Sequence, residues 1–216
     1  MKINSQEFDK IAREIFAPAY PAIARQIIKN TGITRGTCLD IGSGGGYLGL
    51  SLALETELFV CFLDESPEML DIAKKNIDEK GLADRAETLA GNVEAIPLPD
   101  NSVDLAVSRG SVFFWQDQAR AFQEIYRVLA PLGTAYIGGG FGSSAIKDEI
   151  AQKMEELDKG SGRWQRKVEK NLGTETSARL ETALKAAKIQ DFEISSNSEI
   201  GLWVLFKKQK GIKCHQ

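Results

Sequence analysis

An apolar run at 37–41 breaks into Gly42-Ser43-Gly44-Gly45-Gly46, and a second apolar run at 58–63 ends on Asp64. A buried strand that empties into glycines and then into a helix leaves little choice of architecture. Glycines let the backbone take positive φ and approach a ligand closely. The helix that begins over 48–54 offers free N–H groups and the positive end of its dipole at that same point.

The rest of the chain alternates in the same way. Residues 5–30 read as one or two helices, broken around Ala17-Pro18-Ala19-Tyr20-Pro21. Ser66 can cap the next helix, with Pro67 at its first position and Gly81 at its end, and Met69, Ala73 and Ile77 form its apolar stripe. Strands are expected at 86–90, 103–107 and 134–137. Between the last two, Asp117 can cap a helix whose Phe122, Ile125 and Leu129 share one face, and Pro131 stops it. Helices are expected over 144–157, 163–172 and 177–187. Strands near 192–195 and 202–206, joined by a short turn around Asn197 and Ser198, close the chain. Strands alternating with helices predict an α/β fold with helices on both faces of a mostly parallel sheet. The closing hairpin gives one antiparallel edge-hairpin strand. In such sheets a ligand sits outside the carboxyl ends of the strands.

Length and charge bound the possibilities. The 216 residues suit one domain over 1–216, with N-terminal cap helices (1–30), a helical lid insertion (143–173) and a tail (209–216). With 43% hydrophobic and 26% charged residues, the chain can bury a core without staples. A formal net charge of −3 gives no electrostatic reason to bind nucleic acid or an anionic membrane. The uncharged stretch 128–146 contains Pro131 and five glycines, which suits a turn, strand and loop better than a membrane helix. No apolar signal region opens the sequence. Cys38, Cys61 and Cys214 form neither a disulfide framework nor a metal pair, and no metal is expected. These features predict a cytoplasmic protein. The single histidine, His215, lies in the tail, so the commonest general base is missing from the body of the chain.

Two glycine frames compete in the loop after the first strand. D-x-G-x-G-x-G uses Asp40, Gly42, Gly44 and Gly46, whereas G-x-G-x-x-G uses Gly44, Gly46 and Gly49 and is a dinucleotide fingerprint. Asp64 is placed to bind ribose hydroxyls in either frame. The loop by itself therefore specifies a nucleoside cofactor and no more.

Two further blocks narrow this: the run from Gly91-Asn92-Val93-Glu94 through Pro97-Leu98-Pro99-Asp100 to Asp104, and Glu124-Ile125-Tyr126-Arg127-Val128-Leu129-Ala130-Pro131-Leu132-Gly133. With them the sequence resembles class I S-adenosylmethionine-dependent methyltransferases, in the small-molecule branch that includes the ubiquinone/menaquinone-biosynthesis enzymes. The resemblance covers about residues 35–140 and favours the D-x-G-x-G-x-G frame. It implies a Rossmann-like seven-stranded sheet, S-adenosyl-L-methionine as cofactor and S-adenosyl-L-homocysteine as product. It implies that Gly42, Ser43 and Gly44 face the methionine part, that Asp64 accepts both ribose hydroxyls, that Met69 packs near the adenine, and that Asp40 and Glu65 belong to the cofactor site as well. Asn92 stands where the family often has aspartate. Its side-chain oxygen can accept from the adenine amino group, while the Val93 N–H donates to a ring nitrogen. Ser108 and Arg109 would border the methionine and the methyl group.

The chain after the fourth strand reads Ser108-Arg109-Gly110-Ser111-Val112-Phe113-Phe114-Trp115, without the Asn/Asp-Pro-Pro-aromatic block of amide and exocyclic-amine methyltransferases. Phe113, Phe114 and Trp115 can wall an acceptor site or serve as core. Arg109 and Trp115 are candidates for positioning the acceptor. In the lid, Ile146, Ile150, Met154 and Leu157 form one stripe and Trp164, Val168 and Leu172 another, while Arg163, Arg166, Lys167 and Lys170 share the opposite face. That face suits either solvent or an anionic acceptor. Phe16 and Tyr20 lie near the Pro-flanked bend, with Tyr20 a candidate cofactor contact. Lys207, Lys208, Lys210 and Lys213 read as a frayed basic tail.

Glu94 and Asp117 are the acidic candidates for a base. Without a histidine, an acceptor that is nucleophilic unaided, anionic or thiol-like, is favoured. Two other classes stand beside this one: a module that binds the cofactor without transferring a methyl group, and a nicotinamide-dependent oxidoreductase using the second glycine frame.

Overall fold

The computed structural model describes residues 4–197 and 200–210. Seven strands form one sheet: β1 (Arg35–Ile41), β2 (Glu57–Asp64), β3 (Ala86–Ala90), β4 (Val103–Arg109), β5 (Leu129–Gly140), β6 (Phe192–Asn197) and β7 (Gly201–Lys207). Their order is β3-β2-β1-β4-β5-β7-β6. β1 to β5 pair in parallel, and β7 runs antiparallel to both β5 and β6. The hairpin therefore sits at the edge as expected, and its reversed strand is the inner one. The order reverses between β1 and β4, which opens a crevice above their carboxyl ends.

Among the described residues eight α-helices accompany the sheet: α1 (Ser5–Glu14), α2 (Ala19–Thr31), α3 (Tyr47–Glu55), α4 (Pro67–Glu79), α5 (Gln118–Val128), α6 (Ser144–Leu157), α7 (Arg163–Leu172) and α8 (Thr174–Ala186). Their starts follow from local chemistry. Asn4, Ser66, Asp117 and Ser143 each cap a helix by accepting a backbone N–H from its first turn. Period-two alternation sends side chains to two cores. Leu39, Ile41, Cys61 and Leu63 pack with α5 and α8 on one face. Cys38, Val60, Phe62 and Trp203 pack with α2 and α3 on the other.

Three local expectations need correction. β5 begins at Leu129 rather than 134, so Leu129 and Pro131 belong to the strand. The register shifts between Val103 and Leu105 opposite this segment, an irregular stretch where a residue without an N–H is tolerated. α8 starts at Thr174, three residues early, because Gly173 joins it directly to α7. Lys207 lies in β7, and Lys208 is held in place: its Nζ donates to the Arg127 carbonyl at 2.9 Å and lies 5.3 Å from the Tyr126 ring centroid. Lys213, Cys214 and His215 fall outside the described residues, as does Ser198 of the closing turn.

Arg127 ties the two sequence blocks together. Its guanidinium donates to Glu124 (2.8 and 3.0 Å), to Asp100 (2.7 Å) and to the carbonyls of Ile96 and Leu98 (2.8 and 2.9 Å). The 97–101 turn is thereby fastened to α5 beneath the crevice. Among the described residues no helix is long and apolar enough to cross a membrane.

Candidate functional site

A cavity of about 840 Å³ opens above the carboxyl ends of β1, β2, β4 and β5. On one side lies the glycine loop. Gly42, Gly44 and Gly46 all take positive φ, of 62°, 54° and 83°. The resulting turn bonds Ser43 N–H to the Leu63 carbonyl and Gly46 N–H to the Ser43 carbonyl. Asp64 secures the loop from the end of β2. One of its oxygens accepts Gly44 N–H at 2.8 Å and the other accepts Ser66 N–H at 2.9 Å. Each carboxylate oxygen retains a second acceptor site, so Asp64 can still take a pair of hydroxyls.

Asp40 lies deeper, 2% exposed, and accepts Gly49 N–H at 2.9 Å. Burial pushes its pKa up to about 7, against the Gly49 hydrogen bond, which lowers it. Gly49 is needed here for packing. A Cβ would stand 2.5 Å from the Phe62 ring and 2.9 Å from Asp40 Oδ2. This accounts for the overlap of the two glycine frames in one loop. The Ser43 hydroxyl is buried against the cavity and has no hydrogen-bond partner among the described residues, which suits a polar ligand group.

Met69 and Val93, both under 9% exposed, line the wall beyond Asp64, beside Glu65 and Asn92. The Asn92 amide donates to Glu65 Oε2 at 3.0 Å, and its oxygen accepts Glu94 N–H at 2.8 Å. An aspartate at 92 would set two carboxylates against each other, so the neutral amide matches Glu65. The Asn92 oxygen is already engaged once, leaving one acceptor site for a ligand.

After β4 the structure separates two neighbouring residues. Ser108 is fully buried and does not line the cavity. Its Oγ lies 2.6 Å from that of Ser111. Ser111 reaches the wall instead, donating to the Ile41 carbonyl at 2.9 Å and accepting Trp115 Nε1–H at 3.1 Å. The sequence reading missed Ser111. Its signal was positional, four residues before Trp115 in the turn that Gly110 opens with φ 88°.

Arg109 turns toward β5. Its Nε and one Nη donate to the Gly140 carbonyl at 3.2 and 3.1 Å. Its guanidinium carbon lies 4.7 Å from the Phe16 ring centroid and 5.2 Å from that of Tyr20. Desolvation lowers the pKa of this cation. Tyr20 stacks on Tyr47 at 5.3 Å, and Tyr47 donates to Asp9 at 2.6 Å, closing α1 and α2 over the loop. Burial raises the Tyr20 pKa, which keeps its phenol protonated.

The aromatic run divides. Trp115 packs edge-on against Phe122 at 5.7 Å, and Phe113 packs on the same core, yet both line the cavity. Phe114 is 63% exposed at the mouth. From α6 and α7, Met154, Trp164 and Val168 complete the roof, with Trp164 edge-on to Phe141 at 6.0 Å. The four basic residues of α7, Arg163, Arg166, Lys167 and Lys170, are all exposed, and three of them make contacts. Arg163 pairs with Asp158 at 3.2 Å, Arg166 reaches the Ser161 carbonyl at 3.0 Å, and Lys167 Nζ sits 5.1 Å from the Phe114 ring centroid. The carboxylates considered as bases are also engaged. Glu94 accepts the N–H groups of Gln116 and Asp117, and Asp117 caps α5. Among the described residues no group of three or more His, Cys, Asp or Glu side chains could hold a metal ion.

Comparison with known proteins follows this geometry. A family model described as "Methyltransferase domain" matches residues 39–137. The chain is 30% identical over 163 residues to the uncharacterized methyltransferase YdaC of Bacillus subtilis, covering 68% of this chain and 88% of YdaC. It is 34% identical over 103 residues to a chloroplastic 2-methyl-6-phytyl-1,4-hydroquinone methyltransferase of Oryza sativa, 47% of this chain and 30% of that longer protein. A crystal structure from Methanococcus maripaludis, described as an S-adenosyl-L-methionine-dependent methyltransferase, superposes with a TM-score of 0.91 at 41% identity, covering 97% of this chain and 98% of that one.

Proposed function

The chain belongs to the S-adenosylmethionine-dependent methyltransferases, and from that premise we propose that it transfers a methyl group by in-line displacement to a small-molecule acceptor. The observation that carries this reading is one continuous cavity with two different ends. One end is the glycine loop with Asp40, Asp64 and Glu65; the other is walled by Phe113, Phe114, Phe141 and Trp164. At about 840 Å³ it lies high in the range of about 300–1,000 Å³ typical of single-ligand pockets, which suits a cofactor and an acceptor side by side.

When bound, S-adenosyl-L-methionine supplies an electrophilic methyl sulfonium. Asp64 would hold its ribose hydroxyls, Met69, Asn92 and Val93 its adenine, and Ser43 and the glycine loop its methionine part. The unpartnered Ser43 hydroxyl and the acidic lining both fit a polar, cationic group. The residues after β4 and the lid align the acceptor and exclude water. We read 1–30 as the cap and 143–173 as the lid of one domain, acting in the cytoplasm, where Cys38 and Cys61 stay buried as free thiols.

No histidine lies among the described residues, Asp117 caps α5, and Glu94 lines the cavity with Oε1 accepting two backbone N–H groups, which leaves Oε2 as its one carboxylate oxygen that could serve as a base; the reading takes the unaided alternative. The acceptor then brings its own ionised nucleophile, as an arylthiolate does. The nicotinamide frame is set aside by the family assignment.

The test is turnover of an arylthiol, a phenol and a primary amine at saturating cofactor between pH 6 and 8, read as S-adenosyl-L-homocysteine formed. The reading expects product from the pre-ionised thiolate at a nearly flat rate. Turnover of the amine alone, rising log-linearly with pH, contradicts it. Tight cofactor binding with no product from any acceptor would favour the binding-module alternative.

A further inference from the structure

The charges lining the cavity are unevenly placed, and Glu94 lies on the wall beside Gln116 and Asp117. Asp40, Asp64 and Glu65 stand around the glycine loop, where the cofactor's positive charges belong. Arg109, Arg163 and Lys167 stand at the β5 and lid end. Asp158 neutralises Arg163 at 3.2 Å. Neither Arg109 nor Lys167 has a carboxylate partner among the described residues.

Arg109 is the more informative of the two. A guanidinium carries five N–H donors, and the hydrogen bonds of Arg109 run only to the Gly140 carbonyl. Among the described residues no further acceptor meets its Nη1 or the remaining Nη2 hydrogen. That bond and the rings of Phe16 and Tyr20 fix the guanidinium, so binding an oxyanion costs little further ordering. Withdrawing a cation from water without a counter-charge is expensive, and a cavity ligand can supply one. Lys167 Nζ, held over Phe114 at the mouth, adds a second positive charge on the path inward. Between the two cations the lining is aromatic: Phe113, Phe114, Phe141 and Trp164.

We infer that the acceptor half of the cavity selects a flat apolar molecule bearing a carboxylate-type oxyanion, with Arg109 as its anchor and Lys167 as the charge at its entrance. This rests on the methyl-transfer reading above. The one rival occupant for Arg109 is the carboxylate of the cofactor itself. Against it stands the hydrogen bond to Gly140, which turns the side chain toward the end of β5, although the Tyr20 ring beside the guanidinium also stacks on Tyr47 above the glycine loop.

The experiment compares naphthalene-2-carboxylate with naphthalene-2-carboxamide, titrated into the protein at saturating S-adenosyl-L-homocysteine. The carboxylate is expected to bind at least tenfold more tightly. In Arg109→Gln this preference disappears, while affinity for S-adenosyl-L-homocysteine alone stays within threefold of wild type. Arg109→Lys retains part of the preference, and Lys167→Gln weakens the carboxylate about threefold. Equal binding of the two naphthalenes, or binding of neither, overturns the assignment. So does an Arg109→Gln protein whose loss falls on S-adenosyl-L-homocysteine, since Arg109 would then serve the cofactor. Failure of the folded wild type to bind S-adenosyl-L-homocysteine overturns the methyl-transfer reading and this inference with it. Binding without carboxylate preference overturns this inference alone.

Discussion

Asp64 and Gly44, twenty residues apart, meet at the carboxyl ends of adjacent strands, where Asp64 Oδ2 accepts Gly44 N–H at 2.8 Å. One carboxylate thus shapes the glycine loop and, on the proposed reading, offers its remaining acceptor sites to the ribose. Both functions should fail together. Asp64→Ala is expected to weaken S-adenosyl-L-methionine at least a hundredfold and to cost about 1–2 kcal/mol of stability, measured by calorimetry and urea unfolding. Asp64→Asn would keep an oxygen for Gly44 and lose mainly affinity. If Asp64→Ala bound the cofactor as wild type does, the ribose assignment would be wrong.

Asp40 predicts a pH dependence of opposite sign for folding and for binding. Its native pKa is raised to about 7 by burial, above the ordinary aspartate value of about 3.9. The folded protein then binds more protons than the unfolded chain between about pH 4 and 7, so stability without ligand falls as pH rises through that window. A cationic ligand favours the ionised form. Its affinity should therefore rise with pH up to about 7, by no more than about tenfold per unit. Asp40→Asn should flatten both trends, read from melting temperatures and calorimetric titrations at pH 5.5, 6.5 and 7.5. Identical slopes in wild type and variant would remove Asp40 from this account.

Gly49 tests the packing beneath the loop. A Cβ there meets the Phe62 ring and Asp40 Oδ2, so Gly49→Ala must displace α3 from the sheet. The expected cost is about 1–3 kcal/mol, with a parallel loss of cofactor affinity as the loop shifts. A stable variant with unchanged affinity would mean that the helix relaxes without moving the loop.

Arg127 carries a stability prediction with a defined acid limit. Glu124, only 6% exposed at its side chain, is paired to it, and the Arg127 hydrogen bonds hold the Glu124 carboxyl below its usual range. Because the native pKa is depressed, this contribution is complete above the ordinary glutamate value of about 4.3 and is lost as pH falls through the lower native value. Arg127→Ala leaves nearly buried Glu124 to Arg120 and the Ile96 N–H and frees the 97–101 turn, at about 2–4 kcal/mol near pH 7. The double change with Glu124→Gln should recover part of that loss. A strictly additive double mutant would show that the pair is not coupled.

The elements were legible where local chemistry is decisive. Pro67 after Ser66, the glycines after Ile41 and Asp117 before Gln118 each fix a boundary through capping or backbone freedom. Boundaries decided by tertiary pairing were not. Pro131 marks a helix stop in isolation, but pairing of Val103 with Leu129 extends β5 across it. The site followed the same division. The glycine loop and Asp64 are contiguous signals, and both line the cavity. The difference between Ser108 and Ser111 depends on which way the chain turns at Gly110, and the fates of Arg163, Arg166 and Lys167 depend on contacts with Asp158, Ser161 and Phe114. No helical periodicity encodes those partners. The end of the cavity opposite the glycine loop is assembled from α1, the β4 and β5 ends and α6 and α7, segments far apart in sequence.

The most direct test of the central claim is a calorimetric titration of the wild-type protein with S-adenosyl-L-methionine, with NAD titrated in parallel. The account predicts one site per chain with micromolar-range affinity for S-adenosyl-L-methionine and no heat from NAD. Folded protein that ignores S-adenosyl-L-methionine, or that takes up NAD in its place, would contradict it.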